Sequence, residues 1–168
     1  MPFAALNADP IVMEYFLAPL SRAESDALVD RIEAAIEERG FGLWAVEIIN
    51  GAPFIGFVGL APVSFETHFT PAVEVGWRLA KEHWGRGYAT EAARAALNYA
   101  FDKLMLDEVV SFTSVGNLRS RRVMERLGLH HDPADDFDNP ALPADHPLVR
   151  HVLYRLERNE RETIPPST

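Results

Sequence analysis

The sequence EVGWRLAKEHWGRGYATEA, residues 74–92, decides the fold of this chain because it joins a strand, a glycine loop and the start of a helix. Residues 72–79 alternate in polarity, which predicts a β-strand with one buried face. The two faces of that strand are formed by Val73, Val75, Trp77 and Leu79 and by Glu74, Gly76 and Arg78. Residues 91–104 then carry small residues at helical spacing, which predicts a helix that packs closely on a sheet through Ala92, Ala95, Ala96, Tyr99 and Ala100.

Upstream of this unit, the sequence predicts a helix followed by two paired strands. A capping box beginning at Ser21 starts the helix, and Gly40 ends it. Residues 43–49 and 54–60 are rich in β-branched and aromatic side chains, and they flank Asn50-Gly51, a pair typical of hairpin turns. We therefore expect two antiparallel strands joined at that pair.

The rest of the sequence predicts helical turns broken once, a strand, a short basic helix and a final strand. These elements occupy residues 3–17, 109–115, 117–127 and 151–156. Residues 132–147 hold four prolines and five aspartates, which predicts an irregular surface loop. The order of elements predicts a single α+β domain over residues 1–168.

Composition narrows the class of protein. The net charge of −9 opposes general binding to nucleic acid and favours cationic partners. The chain lacks cysteine, so it has no disulfide, thiolate nucleophile or cysteine-bearing zinc site, and we expect no metal. No segment has the ~20 apolar residues of a membrane helix, and the N-terminus lacks a signal-peptide pattern. We therefore expect a cytoplasmic protein that binds neither nucleic acid nor membrane.

The glycine loop is compatible with more than one role. Gly85 and Gly87 lie between a strand and a helix, where backbone N–H groups converge on an anion beside the positive end of the helix dipole. An ordinary turn, in which Gly87 supplies a positive φ, explains the spacing equally well. A nucleotide P-loop is excluded, because Tyr88-Ala89 stand where its Lys and Ser/Thr belong. A dinucleotide fingerprint is disfavoured, since Asp107 precedes its strand and the upstream strands are antiparallel.

Three blocks of sequence resemble the GCN5-related N-acetyltransferase (GNAT) superfamily and, within it, the RimJ/RimL-like ribosomal-protein-alanine acetyltransferases. Residues 74–92 resemble the acyl-CoA-binding core, and NLRSRRVMERLG, residues 117–128, resembles an Asn-x-x-Ser helix ending in Leu-Gly. Residues 7–13, followed by Phe16, resemble the first helical segment. Two features depart from the family: Trp84 replaces the usual Gln or Arg, and no strand precedes the first helix. The resemblance implies a GNAT fold, a mostly antiparallel mixed sheet flanked by helices, with its first strand missing.

The resemblance implies acetyl-CoA as the cosubstrate, with its pantetheine arm on the strand and its acetyl group beside Gly76. The implied contacts of the arm are Trp77, Arg78 and Leu79. The implied contacts of the pyrophosphate are Gly85, Arg86, Gly87, Tyr88, Ala89 and Thr90. Asn117 is implied to bond the arm, and it is also suited to cap the following helix. The implied acceptor is a primary amine of a small molecule or a protein N-terminus, and a homodimer is possible by analogy.

In the implied reaction the amine attacks the thioester directly, so a proton acceptor and a proton donor are needed. Glu74 is the first candidate base, and its alternative is an ordinary surface glutamate on a strand. Histidine is the side chain that most often accepts a proton near neutral pH, so the second-choice candidates for the base are His68, His131 and His151. Met124 stands where many relatives have a tyrosine donor, so Ser120 is the candidate donor to the thiolate, against the alternative of a helix-surface serine.

Charged groups further along the chain leave two interpretations open. Three arginines either contact nucleotide phosphates or form a solvated face, namely Arg119, Arg121 and Arg122. The acidic loop at residues 132–145 either attracts a cationic amine or is an ordinary surface loop. The sequence therefore predicts an acyl-CoA-dependent N-acetyltransferase, with a catalytically weak acyl-CoA-binding regulatory module as the alternative.

Overall fold

A seven-stranded mixed sheet organises the molecule. The computed structural model describes residues 2–163, so Met1 and residues 164–168 of the predicted domain lie outside the described residues. The strands are β1 Leu43–Val46, β2 Gly56–Pro62, β3 Val73–Leu79, β4 Glu108–Ser114, β5 His130–His131, β6 Phe137–Asp138 and β7 Arg150–Glu157. Their order is β1-β2-β3-β4-β7-β5, and β6 also pairs with β7. This is the predicted α+β GNAT fold, and in the described chain no strand precedes the first helix.

Four helices accompany the sheet: α1 Pro2–Ala8, α2 Arg22–Arg39, α3 Tyr88–Asp102 and α4 Leu118–Arg126. The predicted capping box at Ser21 is present, and Gly40 ends α2 with a φ of 76°. The described helices include none that is long and apolar enough to cross a membrane.

Helix α3 begins at Tyr88, three residues before the predicted start at Glu91. Its sheet-facing side is formed by Ala93, Ala96, Leu97, Ala100 and Phe101, which are buried. Ala95, which we expected on that side, is exposed. The small-residue packing face predicted from the alanines is therefore present but rotated about the helix axis.

The predicted hairpin differs from the observed one. Strand β1 ends at Val46, so it is shorter than predicted. Strand β2 has the predicted length but begins at Gly56, two residues late, so the connection between the strands is longer than predicted. Asn50 does adopt a positive φ of 60° in a turn, which is why the Asn-Gly pair is present. The hydrogen bond from the Ile55 N–H to the Val46 carbonyl continues the pairing briefly beyond the strand ends.

Strands β3 and β4 are parallel neighbours that separate along their length. The register pair between them joins Glu74 to Val110, and the Ser111 hydroxyl donates to the Val75 carbonyl at 2.8 Å. Each strand otherwise pairs along its whole length with its outer neighbour, β3 with β2 and β4 with β7. Beyond Val75 the two strands therefore line opposite walls of a gap.

Residues 132–147 are more ordered than the predicted irregular loop. They contain a short 3-10 turn at Pro133–Asp135 and the strand β6, which pairs with the first half of β7. Phe137 of β6 is buried against Phe69 and Leu153, so an apolar anchor fixes this segment to the sheet. The proline and aspartate content predicted an irregular loop, and it gave no indication that Phe137 attaches the segment to the sheet.

Candidate active site

The gap between β3 and β4 opens into a cavity of about 740 Å³. Gly76 to Leu79 form one wall, and residues 111–113 of β4 form the other. The glycine loop and the start of α4 also line it, as do Tyr15 and Phe16 from the N-terminal segment. This volume is typical of cavities that hold a small molecule or cofactor.

The glycine loop presents a run of free backbone donors to this cavity. Gly85 and Gly87 have φ values of 73° and 86°, a conformation that disfavours side-chain-bearing residues. Within the described chain, the backbone N–H groups of residues 85–90 have no hydrogen-bond acceptor, and the first helical bond is donated by Glu91 to the Gly87 carbonyl. The Trp84 indole donates to the Leu79 carbonyl at 2.8 Å and ties the loop to β3. Such a nest at a helix N-terminus is suited to an anion.

Gly76 leaves the middle of the β3 wall open. A Cβ added there would approach the chain no closer than 3.8 Å, at Oε1 of Glu74. Its register partner Gly59 differs, because a Cβ there would lie 2.0 Å from the Gly42 carbonyl oxygen. Close backbone packing thus explains Gly59, whereas at Gly76 the missing side chain leaves the cavity wall open.

Glu74 is an unpaired carboxyl group in this cavity. It is half-buried, and within the described residues it has no ion-pair partner. Removal from water raises the pKa of Glu74 to about 8, since burial disfavours the charged form. A carboxyl group with this pKa exchanges a proton near neutral pH, as a general base requires.

Arg78 lies on the same face of β3 as Glu74. Its Nη1 donates to the Asn7 carboxamide oxygen at 2.6 Å, and its guanidinium lies 4.1 Å from the ring centroid of Phe16. Burial lowers the pKa of Arg78 to about 10. Asn7 and Phe16 belong to the N-terminal segment that resembled the family, but nothing in the sequence indicated that they contact Arg78.

Asn117 and Ser120 lie together at the start of α4, and both line the cavity. The Asn117 side chain accepts from the Ser120 N–H and donates to the Thr113 hydroxyl at 2.9 Å, which confirms its predicted capping role. The Ser120 hydroxyl has no partner among the described residues. Met124, one turn later, is buried in the core and cannot reach the cavity contents.

Of the three second-choice histidines, only His151 lines the cavity. Burial lowers its pKa, and its ring nitrogens lie within hydrogen-bond distance of the Asn139 amide and the Val149 carbonyl. His68 is paired with Asp135, and His131 is paired with Asp136 at 2.7 Å. The side chains of these two histidines therefore contact the acidic segment, residues 132–145, and do not line the cavity. His83, which the sequence analysis did not single out, also lines the cavity.

The cavity lining is basic although the chain is acidic overall. Its cationic members are Arg78, Arg119, Arg122 and Arg126, and its carboxylate is Glu74. Arg119 pairs with Glu14 and lies over Trp84, whereas Arg121 points to the Tyr154 hydroxyl and the Val115 carbonyl.

The acidic segment contributes no carboxylate to this lining. Its cavity-lining residues are Asn139, Ala141 and Leu142. Three of its aspartates form ion pairs instead, Asp135 with Arg155, Asp136 with His131 and Asp138 with Arg150.

A mixed sheet that separates at one parallel pair, next to a helix N-terminus with free N–H groups, defines the GNAT class of acetyltransferase folds. The chain belongs to this family, because the family profile described as acetyltransferase (GNAT) domain matches residues 1–130.

Individual relatives agree with this assignment. The FsC-acetyl coenzyme A-N(2)-transacetylase of Aspergillus fumigatus is 35% identical over 164 residues, covering 90% of this chain and 68% of the relative. The uncharacterized protein YkkB of Bacillus subtilis is 33% identical over 129 residues, covering 77% of this chain and 74% of YkkB. The solved structure of spermidine N-acetyltransferase from Vibrio cholerae, in complex with CoA and spermine, has a TM-score of 0.73 at 20% identity. It covers 95% of this chain and 90% of that one, and at this identity it shows the fold alone.

Proposed function

We propose that this chain transfers an acetyl group from acetyl-CoA to a primary amine by direct attack. The observation that carries the proposal is the gap between β3 and β4, which ends at six free backbone N–H groups. A pyrophosphate suits the glycine loop, at residues 85–90. The pantetheine arm would pair with the edge of β3 that faces the gap at Trp77 to Leu79, where the Leu79 carbonyl already accepts from the Trp84 indole. The Asn117 amide is available to the same arm.

The chemistry follows from the groups around Gly76. A nitrogen–carbon bond forms as the carbon–sulfur bond of the thioester breaks, and a backbone N–H at Gly76 or Trp77 stabilises the oxyanion. Glu74 takes the amine proton, directly or through water, because its carboxyl group lies over Gly76 and has a pKa near neutrality. Ser120 donates a proton to the departing thiolate and takes one back from water, so that the serine hydroxyl is regenerated and the product is the free thiol. No covalent intermediate on the protein is required.

The finer assignments rest on the sequence motifs. The RimJ/RimL-like branch, with a protein N-terminus or a small molecule as acceptor, is supported by the Asn117-to-Gly128 block and stays a prediction. The cytoplasmic location and the homodimer also stay predictions.

Free-thiol release from acetyl-CoA, measured with a panel of primary amines, tests the proposal. We expect release that depends on an added amine and the acetylated amine as the product. Saturable CoA binding without thiol release for any amine would instead support the acyl-CoA-binding regulatory module.

A further inference from the structure

Arg78 carries a positive charge that the protein itself does not neutralise. Its guanidinium lies between the rings of Phe16 and Phe57, at 4.1 and 5.2 Å from their centroids, and Asn7 accepts one hydrogen bond from it. No carboxylate of the described chain forms an ion pair with it, and its Nε is shut off from water without an acceptor. A guanidinium has five N–H donors, so most of its hydrogen-bonding capacity is unused.

Such an arrangement costs free energy. A largely buried charge without a counter-ion loses hydration and gains little in return, and the lowered pKa of Arg78 reflects the same cost. The aromatic rings offset part of it by cation–π attraction. Asn7 is fully buried and donates to the Ser25 hydroxyl at 2.9 Å, so its orientation toward Arg78 is fixed. The chain therefore holds this cation in one position, as a preformed anion site requires.

Arg78 shares its face of β3 with Glu74 and Gly76, and the other face of the strand packs against the α3 core. Trp84, which precedes the glycine loop, packs against Phe57 on the same side as Arg78. The loop N–H groups lie at the N-terminus of α3. A molecule that reaches Arg78 from the cavity is thus on the side of the candidate base, where the attacking amine belongs.

We propose that Arg78 is a specificity-determining residue that binds a carboxylate of the amine acceptor, which makes the acceptor an amino-carboxylate and not a polyamine. This inference rests on the proposed function and deepens it. Gly76 and Arg78 are two residues apart on one strand face, or roughly 6.6 Å. The amine and the carboxylate are accordingly separated by a short linker. The planar guanidinium fork suits a carboxylate better than a single ammonium group would.

The test compares acids with their uncharged amides as acceptors. Glycine, β-alanine and γ-aminobutyrate are each assayed beside the corresponding carboxamide by thiol release. We expect kcat/KM for the best acid to exceed that of its amide by at least about tenfold, mainly through the acceptor KM. Equal values for acid and amide, or a preference for spermidine, would overturn the inference while leaving the proposed function intact. Absence of thiol release with every amine would contradict the proposed function and, with it, this inference.

Three variants identify the residue responsible. Arg78→Met removes the charge and should abolish the preference for the acid without raising the KM for acetyl-CoA. Asn7→Asp supplies an internal counter-ion to Arg78, so it should also abolish the preference, and it tests the idea if Arg78→Met does not fold. Arg119→Met removes a cavity-lining arginine that already has a partner, and it should retain the preference. A raised Kd for CoA in Arg78→Met, with the preference kept, would assign Arg78 to the cosubstrate instead.

Discussion

Two regions of the cavity, the glycine-loop end and the proposed acceptor end around Arg78, are built in different ways. The glycine-loop end consists of consecutive backbone N–H groups from one stretch, residues 85–90. The acceptor end consists of side chains that three separate segments bring together, Asn7 and Phe16 from the N-terminus, Phe57 from β2 and Arg78 from β3. Under the proposed function, the backbone groups would recognise the pyrophosphate that every acyl-CoA shares, whereas the side chains from distant segments would recognise the acceptor. The comparison predicts that the loop is a property of the whole family and that the Arg78 region determines the substrate.

Glu74→Gln and Gly76→Ala give the two largest expected effects, and the first of them removes the proposed base at the acceptor end. We expect kcat to fall about 100-fold, at the lower end of general-base catalysis. In the unaltered protein, kcat/KM should rise with pH until about 8, where Glu74 becomes ionised. The variant should lose that rise. A pH profile of the same shape in both proteins would remove Glu74 from this role.

The substitution Glu74→Gln should also change how the free energy of unfolding depends on pH. The pKa of Glu74 is raised from its ordinary value of 4.5 to about 8, so the folded state holds a proton that the unfolded state releases. The free energy of unfolding of the unaltered protein therefore falls, relative to Glu74→Gln, as pH rises from about 4.5 to about 8. Denaturant unfolding at the two limits measures this, and a constant difference would contradict the buried carboxyl.

Gly76→Ala tests the proposed position of the thioester, between the glycine loop and the acceptor end. The protein has room for the added methyl group, but the group would occupy the proposed thioester position. We expect kcat/KM to fall about 100-fold, as displacements near 1 Å do, with an unchanged melting temperature. The matched variant Gly59→Ala, at the paired position on β2, should instead lose stability because of its 2.0 Å contact. An active, stable Gly76→Ala enzyme would show that the thioester lies elsewhere.

Ser120→Ala tests the proton donor on the β4 side. A thiolate leaves readily, since the pKa of a thiol is about 8.5, so we expect kcat to fall only about tenfold. The Kd for CoA should remain within about twofold, because the Ser120 side chain is assigned to chemistry rather than binding. Equal turnover by the variant and the unaltered protein would assign the proton to water.

Gly87→Ala gives the smallest effect, confined to the glycine-loop end. A side chain at a φ of 86° costs roughly 1–2 kcal/mol, which displaces the loop and should raise the KM for acetyl-CoA several-fold. Gly128→Ala is the control, since Gly128 has a φ of 85° but does not line the cavity. If both variants changed the KM equally, the effect would be general strain and not loss of the anion site.

The fold was predictable where sequence spacing determines it directly. The capping box at Ser21, the alternation around Val75 and the cap at Asn117 depend on neighbours within a few residues, and all three are present. The prediction of the hairpin was wrong in detail, because Asn50-Gly51 forms a turn inside a longer connection instead of joining the two strands directly. Local signals specify a turn, but tertiary pairing decides where the strands end.

The acceptor end was not predictable, because it depends on contacts across 71 residues of sequence between Asn7 and Arg78. For the acidic segment, residues 132–145, the sequence left two interpretations open. Its aspartates suggested a cationic partner, but local ion pairs engage Asp135, Asp136 and Asp138. Net charge reports the whole surface, whereas ligand chemistry depends on the few groups that face the cavity.

Backbone amide chemical shifts during a CoA titration test the central claim most directly. With ¹⁵N-labelled protein, we expect saturable shifts at residues 76–79 and 85–90, including the two glycines of positive φ. Shifts at the Gly128 amide, outside the cavity, should be small. Saturable shifts that avoid both stretches would contradict the account.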